Sequence, residues 1–329
     1  MPIIVPSTTY SPAATSGTYI FTVTRDTIIR QAMLNIGKLD EDEAPSAQST
    51  TDAATVLNML VKQWQGRGDF APGLKTWTRR RGYLFLNYNS GRYSVGGGGT
   101  GWTNTPLFTA TTASAAAAAS VIAIPTGTTI VAGYYIGIQL NTGALQWTTV
   151  VSVAGTVCTI TDALTAAVAS GAKVYAYAAL GTQPVQIEAA VLRDDTYNDV
   201  PLRLLQVRDY DSLPQKANTQ NRSDPGAVYY EFQLNTSYLY TDVGASMDVT
   251  KYIVLTYMEP IQDFNNALDA PEYPQEWFLA LCWGLAKEIC PQYNSVWTPL
   301  MQDNFTRSLA IAQRKDPEIE TRYFQCGED

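Results

Sequence analysis

The sequence predicts an α+β protein: a helical bundle built from both chain ends, an inserted β domain carrying a further small β module, and extended N- and C-terminal arms. Three observations predict it. The stretch Ala270–Cys290, APEYPQEWFLALCWGLAKEIC, is apolar on nearly every side at helical spacing, a pattern that calls for burial all round. Other amphipathic helical patterns lie near the two ends of the chain. Alternating apolar residues broken by turn sequences fill the middle.

The central helix organises the rest. Trp277, Leu281 and Leu285 share one stripe, Phe278, Cys282 and Ile289 widen it, and Leu279, Trp283 and Ala286 cover most of the opposite side. The run from Trp277 to Ala286 is about half of the ~20 residues a membrane span needs. Pro274 suits the first helical turn, where its missing N–H is not required.

In chain order, residues 1–20 are rich in Pro, Ser, Thr and Ala and read as an extended arm. A first helix is expected over 26–36, with Thr24 or Arg25 near its start and Ile28, Ile29, Ala32, Met33 and Ile36 as its stripe. Gly37 stops it. The acidic segment LDEDEAPSAQST lacks calcium-loop ligand spacing and reads as a solvated link. A second helix over 49–65 presents Ala53, Val56, Leu57, Leu60 and Trp64 on one side, with Gly66 and Gly68 after it. The last helix, over 298–315, is capped by Thr298 with Pro299 in the first turn, and Met301, Phe305, Leu309 and Ala312 line one face. The expected helical core is therefore Ile29, Met33, Leu57, Leu60, Trp64, Trp277, Leu281, Trp283, Leu285 and Phe305.

Between the helices the pattern is β. Residues 76–95 alternate, with a turn near Asn89-Ser90-Gly91, and Gly96–Gly99 reads as a flexible loop without the GK[ST] ending of a phosphate cradle. Arg79, Arg80 and Arg81 alternate in direction along a strand, so they form no single basic patch; Arg79 and Arg81 are candidate subunit-interface residues. From 108 to 177 the composition shifts to Ala, Thr, Val and Gly. Tyr134, Ile136, Ile138 and Leu140 alternate, Asn141-Thr142-Gly143 turns, and Trp147, Thr149, Val151 and Val153 return. The run Ala115–Ala119 suits a helix or a linker. Strands resume between 185 and 258, notably around Tyr229-Tyr230, Tyr238–Tyr240 and Tyr252–Met258. The expected domains are an arm at 1–20, the bundle at 21–72 and 259–315, the β domain at 73–107 and 178–258, the module at 108–177, and a C-terminal arm at 316–329.

Composition narrows the function classes. A chain of 329 residues can bury a large core. Charged residues make up 16%, below the usual ~25%, which is compatible with a surface lying against other subunits. The net charge of −8 repels bare nucleic acid but allows a conduit through which DNA slides. There is no histidine, so Ser–His–Asp and Cys–His catalysis and imidazole metal sites are excluded. The four cysteines, at 158, 282, 290 and 326, show no C-x-x-C spacing and read as reduced thiols. No catalytic residue, metal ligand or cofactor is expected, and no membrane anchor.

The segments DVPLRLLQVRDYDSLPQK, then YYEF, then IVLTYMEPIQDFNNALDAPEYPQEWFLALCWGLAKEI occur in an order that resembles the head-to-tail adaptor proteins of short-tailed bacteriophages. This is the packaged-DNA stabilisation or tail accessory factor family, to which tail tubular protein A is related. RDTIIRQAMLNIGKLDEDEAPSAQSTTDAATVLNMLVKQWQGRG resembles its opening helix pair, so the likeness covers about 21–95 and 184–315, and 108–177 looks like an insert that some members carry.

The resemblance implies a homo-oligomeric ring, usually a dodecamer, that docks under the portal protein, retains packaged double-stranded DNA without sequence-specific binding, and supports the tail nozzle protein and fibres. It implies a virion protein of the tail, at the head-to-tail interface, made in the host cytoplasm. The family's C-terminal segment docks on the portal; here it would be 316–329, with Ile319, Tyr323 and Phe324 as apolar portal-binding anchors. Each anchor would contribute roughly 1.5–3 kcal/mol on burial, against about 1–2 kcal/mol per ordered residue, so several arms must engage together. Two other readings stand beside this one. The chain could be a tail nozzle or fibre-docking component acting through 108–177, whose deletion would spare ring formation. It could also be a cell-wall glycan hydrolase using paired carboxylates.

Overall fold

The computed structural model describes residues 21–65, 78–214, 222–245 and 250–314. The chain is a mixed α+β protein of two compact units: residues from 21–65 and 261–314 form the helical one, and residues from 78–260 form the β one. The sequence-predicted arms at 1–20 and 316–329, with Ile319, Tyr323 and Phe324, lie outside the described residues, as do Gly66 and Gly68.

In the helical unit, α1 (Arg25–Asn35), α2 (Ala47–Gln65) and α5 (Pro299–Gln313) start the same way. The hydroxyls of Thr24, Ser46 and Thr298 accept from the backbone N–H three residues on, at 3.3, 3.1 and 3.3 Å. Each cap satisfies a donor that the first helical turn cannot pair internally. Gly37 follows α1 at φ +66°, a left-handed conformation that suits glycine. Helix α2 begins two residues before the expected Ser49, because Ser46 caps it.

Helix α4 (Glu276–Ile289) contacts α1, α2 and α5, and all four helices share one core. Trp277, Leu281 and Leu285 are fully or almost fully buried. Burial all round, however, fails on one side: Leu279 is 57% exposed and Trp283 is half-buried. On the opposite side Gly284 brings α4 against α2, since a Cβ there would lie 2.7 Å from the Trp64 ring. A polar contribution was not visible in the apolar periodicity. Asn58, Lys62 and Gln65 recur at i, i+4 and i+7 on α2 and bind the backbone of the incoming strand-like segment. Asn58 Oδ1 accepts from Phe264 N at 2.8 Å, Gln65 Oε1 accepts from Ile261 N at 3.1 Å, and Lys62 donates to the Ile261 carbonyl. These bonds pair backbone groups of Ile261 and Phe264, both buried, outside any helix or sheet.

In the β unit, β1 (Arg79–Phe85), β2 (Arg92–Val95), β3 (Trp102–Thr103), β10 (Gln186–Arg193), β11 (Asp199–Leu205), β13 (Ala227–Glu231), β14 (Ser237–Thr241) and β16 (Tyr252–Met258) make an eight-stranded sheet. Their order is β2-β14-β13-β11-β10-β16-β1-β3. The turn at 87–90 joins β1 to β2, which lie six positions apart in this order, and they form no hairpin. A flat sheet would separate them by about 29 Å, whereas the seven-residue step from Phe85 to Arg92 reaches about 24 Å. The sheet therefore curls, so that Leu84 and Trp102 from one edge share a core with Val95 and Leu239 from the other. A short helix α3 (Val207–Ser212) follows β11, β13 pairs with β11 in parallel, and β12 (Arg222–Ser223) pairs with β15 (Gly244–Ala245).

The glycine loop at 96–99 is packed tightly, not loosely. Gly96, Gly97 and Gly98 all have positive φ, and a Cβ on Gly97 would fall 2.1 Å from the Asn235 carbonyl oxygen.

The module is a six-stranded sheet, ordered β4 (Leu107–Ala110), β9 (Lys173–Tyr177), β6 (Tyr135–Gln139), β7 (Leu145–Ala154), β8 (Val157–Ile160) and β5 (Val121–Ala123). Gly155, at φ +61°, opens the two-residue turn from β7 to β8. Strand β7 turns its other face to the module core: Thr148 and Val150 are buried and Val151 is 53% exposed. Trp147 joins a separate aromatic cluster, and a register shift between Val150 and Ser152 returns Val153 to the core side. Both faces of β7 carry apolar residues, so alternation could not choose between them. The alanine run is not helical. Ala115 bridges Val168, Ala118 sits at φ +67°, and Ala115 and Ala119 pack on the module core.

Candidate functional site

Strands β1, β10 and β16 have two working faces. Leu84, Ala190, Leu192, Ile253, Leu255 and Tyr257 point into the curled sheet. The residues between them, Phe85, Tyr252 and Val254, with Tyr83 and Val191 beside them, point the other way. There they meet Leu145, Tyr175 and Tyr177 of the module. Near-continuous apolar character along IVLTYM is what burial on both faces demands. The Phe85 and Tyr175 rings stack at 4.3 Å, Gly101 N donates to Tyr177 Oη at 2.9 Å, and Leu145 N donates to Asn87 Oδ1 at 3.1 Å. The module is therefore fused to the larger sheet through a dry seam. Removing 108–177 would expose Phe85, Tyr252 and Val254, which now pack against the module.

The seam opens at its edge into a cleft of about 350 Å³. Register pairing places Phe108 opposite Tyr175 and Ala110 opposite Lys173, so these four side chains share one face of the β4–β9 pair. Facing them are Asp195, Tyr197 and Tyr252. The turn carrying Asp195 and Tyr197 is held from both sides. At its base Arg193 makes two hydrogen bonds to the Asp199 carboxylate, at 2.6 and 2.7 Å. Inside it, Asp194 Oδ1 accepts from Thr196 N, Thr196 Oγ1 and Asn198 N at 2.9, 2.7 and 2.9 Å. The Thr196 hydroxyl, then the backbone N–H of Asn198, hold the Asp194 carboxyl below its ordinary value, and the Arg193 hydrogen bond does the same for Asp199. Tyr197 is forced to φ +63° and is 73% exposed, a conformation that costs a bulky residue about 1–3 kcal/mol.

The sequence-predicted residues fall as follows. Ile29, Met33, Leu57, Leu60, Trp64, Trp277, Leu281 and Leu285 are buried in the helical core, whereas Trp283 and Phe305 are half-buried at its edge. The Trp283 ring meets Trp297 edge-on at 6.4 Å. Arg79 donates to Glu188 at 2.6 Å and Arg80 to Glu259 at 2.9 Å, both within the chain. Arg81 is exposed and lies near enough to Asp199 to favour its charged form. The strand tyrosines separate by face. Tyr230 packs on the sheet core and donates to the Pro184 carbonyl, whereas Tyr210, Tyr229 and Tyr240 stack in a half-buried outer row. Arg92 lies 3.8 Å over the Tyr238 ring beside them.

Large apolar side chains also reach the surface of the helical unit. Leu300 and Ile311 on α5, Val296 before it and Leu279 on α4 are 70, 53, 78 and 57% exposed. Among the described residues no group of three His, Cys, Asp or Glu side chains could hold a metal, and no helix is long and apolar enough to cross a membrane. Cys158, Cys282 and Cys290 are free and buried, and burial pushes the Cys282 thiol up to about 12. No family model and no curated protein matches the chain.

Proposed function

We propose that this chain is the subunit of a head-to-tail adaptor ring of a short-tailed phage, with a helical bundle closed by the two chain ends and an inserted β domain. The observation that carries the reading is segment order. Amphipathic helices from residues 25–65 and 276–313 share one core around α4, with the whole β unit between them in sequence. That is the order of segments on which the resemblance to the adaptor family rests. Exposed Leu279, Val296, Leu300 and Ile311 add support, because a subunit that lives against neighbours leaves apolar side chains unburied when alone. In this reading the partners are further copies of the chain, the portal, the nozzle and fibres, with DNA passing through unread. The segment 316–329 is the portal-docking arm, with Ile319, Tyr323 and Phe324 as anchors, and Arg81 is the arginine available to a neighbouring subunit.

Nothing favours catalysis by a pair of carboxylates. A glycosidase needs one carboxyl held protonated near neutrality, and the resolved carboxyl shifts among the described residues, at Asp194, Asp199 and Asp269, are all downward. Among the described residues the cleft at the seam is lined by one carboxylate, Asp195.

Electron microscopy of the purified chain mixed with its cognate portal tests the proposal. Rings stacked on the portal, lost in a chain truncated after residue 315, are expected. A chain that stays monomeric with the portal, or that clears a band in a peptidoglycan zymogram, would overturn it.

A further inference from the structure

We propose that the cleft at the edge of the seam binds a pyranose sugar, with Tyr197 and Phe108 as stacking platforms and the Lys173–Asp195 pair reading the hydroxyls. This inference does not depend on the adaptor reading. It starts from the lining. The cleft encloses about 350 Å³, enough for a monosaccharide or the end of a short chain. Its floor is aromatic, made by Tyr175 and Tyr252, each 3% exposed. Phe108, 46% exposed, meets both floor rings, at 5.7 Å from Tyr175 and 5.3 Å from Tyr252. Its polar groups are an ammonium and a carboxylate 3.0 Å apart, with the hydroxyl-bearing Thr109 and Thr250 nearby.

That mixture selects a ligand class. A pyranose has one face of C–H groups, which packs on an aromatic ring, and a rim of hydroxyls that both donate and accept. Asp195 is an acceptor only and Lys173 a donor only. Together they can take vicinal hydroxyls in both senses while neutralising each other, so the site needs no charged ligand. A phosphate ester fits poorly, because the Lys173 ammonium, the one cation among the described lining residues, is already paired with a carboxylate. A lipid chain would take the same ion pair out of water without supplying a hydrogen bond in exchange.

Tyr197 points to a ligand independently of the lining chemistry. A hydrogen-bonded turn, clamped at its base by Arg193 and Asp199, holds this side chain in a left-handed backbone conformation. The conformation suits Gly or Asn better than Tyr. The ring gains little burial in return, at 73% exposure, although the residue lines the cleft. A residue that costs stability and is not packed is explained by what its exposed ring touches in a complex.

The test uses the full chain and its Tyr197→Asn and Asp195→Asn variants. Saturation-transfer NMR and calorimetry would be run with the methyl β-glycosides of glucose, galactose and N-acetylglucosamine, and with a proline-rich decapeptide. At least one glycoside is expected to bind the unmodified chain. Its affinity should fall at least tenfold in either variant, while Tyr197→Asn raises the melting temperature by relieving the backbone. Opposite signs in the two readouts separate a binding role from a structural one. Absence of saturation transfer from all three glycosides at concentrations of about 1 mM, where a Kd in that range would give half-occupancy, would overturn the proposal. So would binding unchanged by both substitutions, or binding of the decapeptide alone.

Discussion

The helical and β units solve the same packing problem in different ways. In the helical unit mostly aliphatic side chains from four helices meet on α4, and the large rings of Trp64 and Trp277 pack against each other at 6.1 Å. Rings also pack directly onto glycine backbone, at Gly284 in the helical unit but at Gly82, Gly137 and Gly181 in the β unit. Trp102 is fully buried between Gly82 and Gly181, where an added Cβ would come within 2.0 and 2.5 Å of its indole. Trp147 lies on Gly137 in the same manner, at 2.7 Å. An aliphatic core can shift a rotamer to absorb a methyl group, whereas a ring on a strand has no slack in the direction of the backbone. The comparison teaches that the β unit is the less tolerant half, and that its intolerance sits at glycines, not at its large residues.

The largest expected effect breaks that contrast at its strongest point. Gly82→Ala should destabilise the β unit by about 3 kcal/mol or more, read as a drop in the denaturant midpoint, and Trp102→Leu in the same chain should restore part of the loss. If Gly82→Ala is neutral, ring-on-glycine packing is not what limits the sheet. Gly284→Ala is the matched change in the helical unit, where Trp64 would be the clashing ring. Its helix-propensity gain of about 1 kcal/mol offsets part of the clash, so a net loss of about 1–2 kcal/mol is expected. Regional hydrogen exchange should place the two effects in different units.

Alkaline pH sharpens the comparison next. Burial pushes Tyr93, Tyr177 and Tyr230, all in the β unit, up to about 12. A phenol whose folded pKa lies above its unfolded value of about 10 stabilises the fold fully below pH ~10, and that contribution is lost as pH rises toward 12. In the helical unit burial likewise raises Tyr273. Between pH 10 and 12 the β unit should therefore lose exchange protection first; simultaneous loss in both units would contradict this account. The smallest expected effect on stability is at the surface. Leu300→Ser should change the unfolding free energy by under about 0.5 kcal/mol yet weaken self-association in sedimentation velocity. A large stability loss would mean that Leu300 is held by its own chain.

Local chemistry is legible in the sequence: where helices start and stop, which segments alternate, and that helical segments flank the β region on both sides. Thr24, Gly37, Thr298 and Pro299 act over one turn of chain, and the apolar spacing of 277–289 reports a buried helix whatever its neighbours are. Only the tertiary structure decided which face of a two-faced segment goes where. Strand β7 could present Trp147 or Val150 to the module core, and the fold chose Val150 because Trp147 was needed on Gly137 and Tyr177 in the seam. The curl that sends β1 and β2 to distant positions in one sheet, the clasp of Asn58, Lys62 and Gln65, and the meeting of Phe108 with Asp195 and Tyr197 likewise join residues far apart in the chain. Periodicity carries no information about such pairings, because a period of two or 3.6 residues describes a segment's own faces and not the surface each will meet.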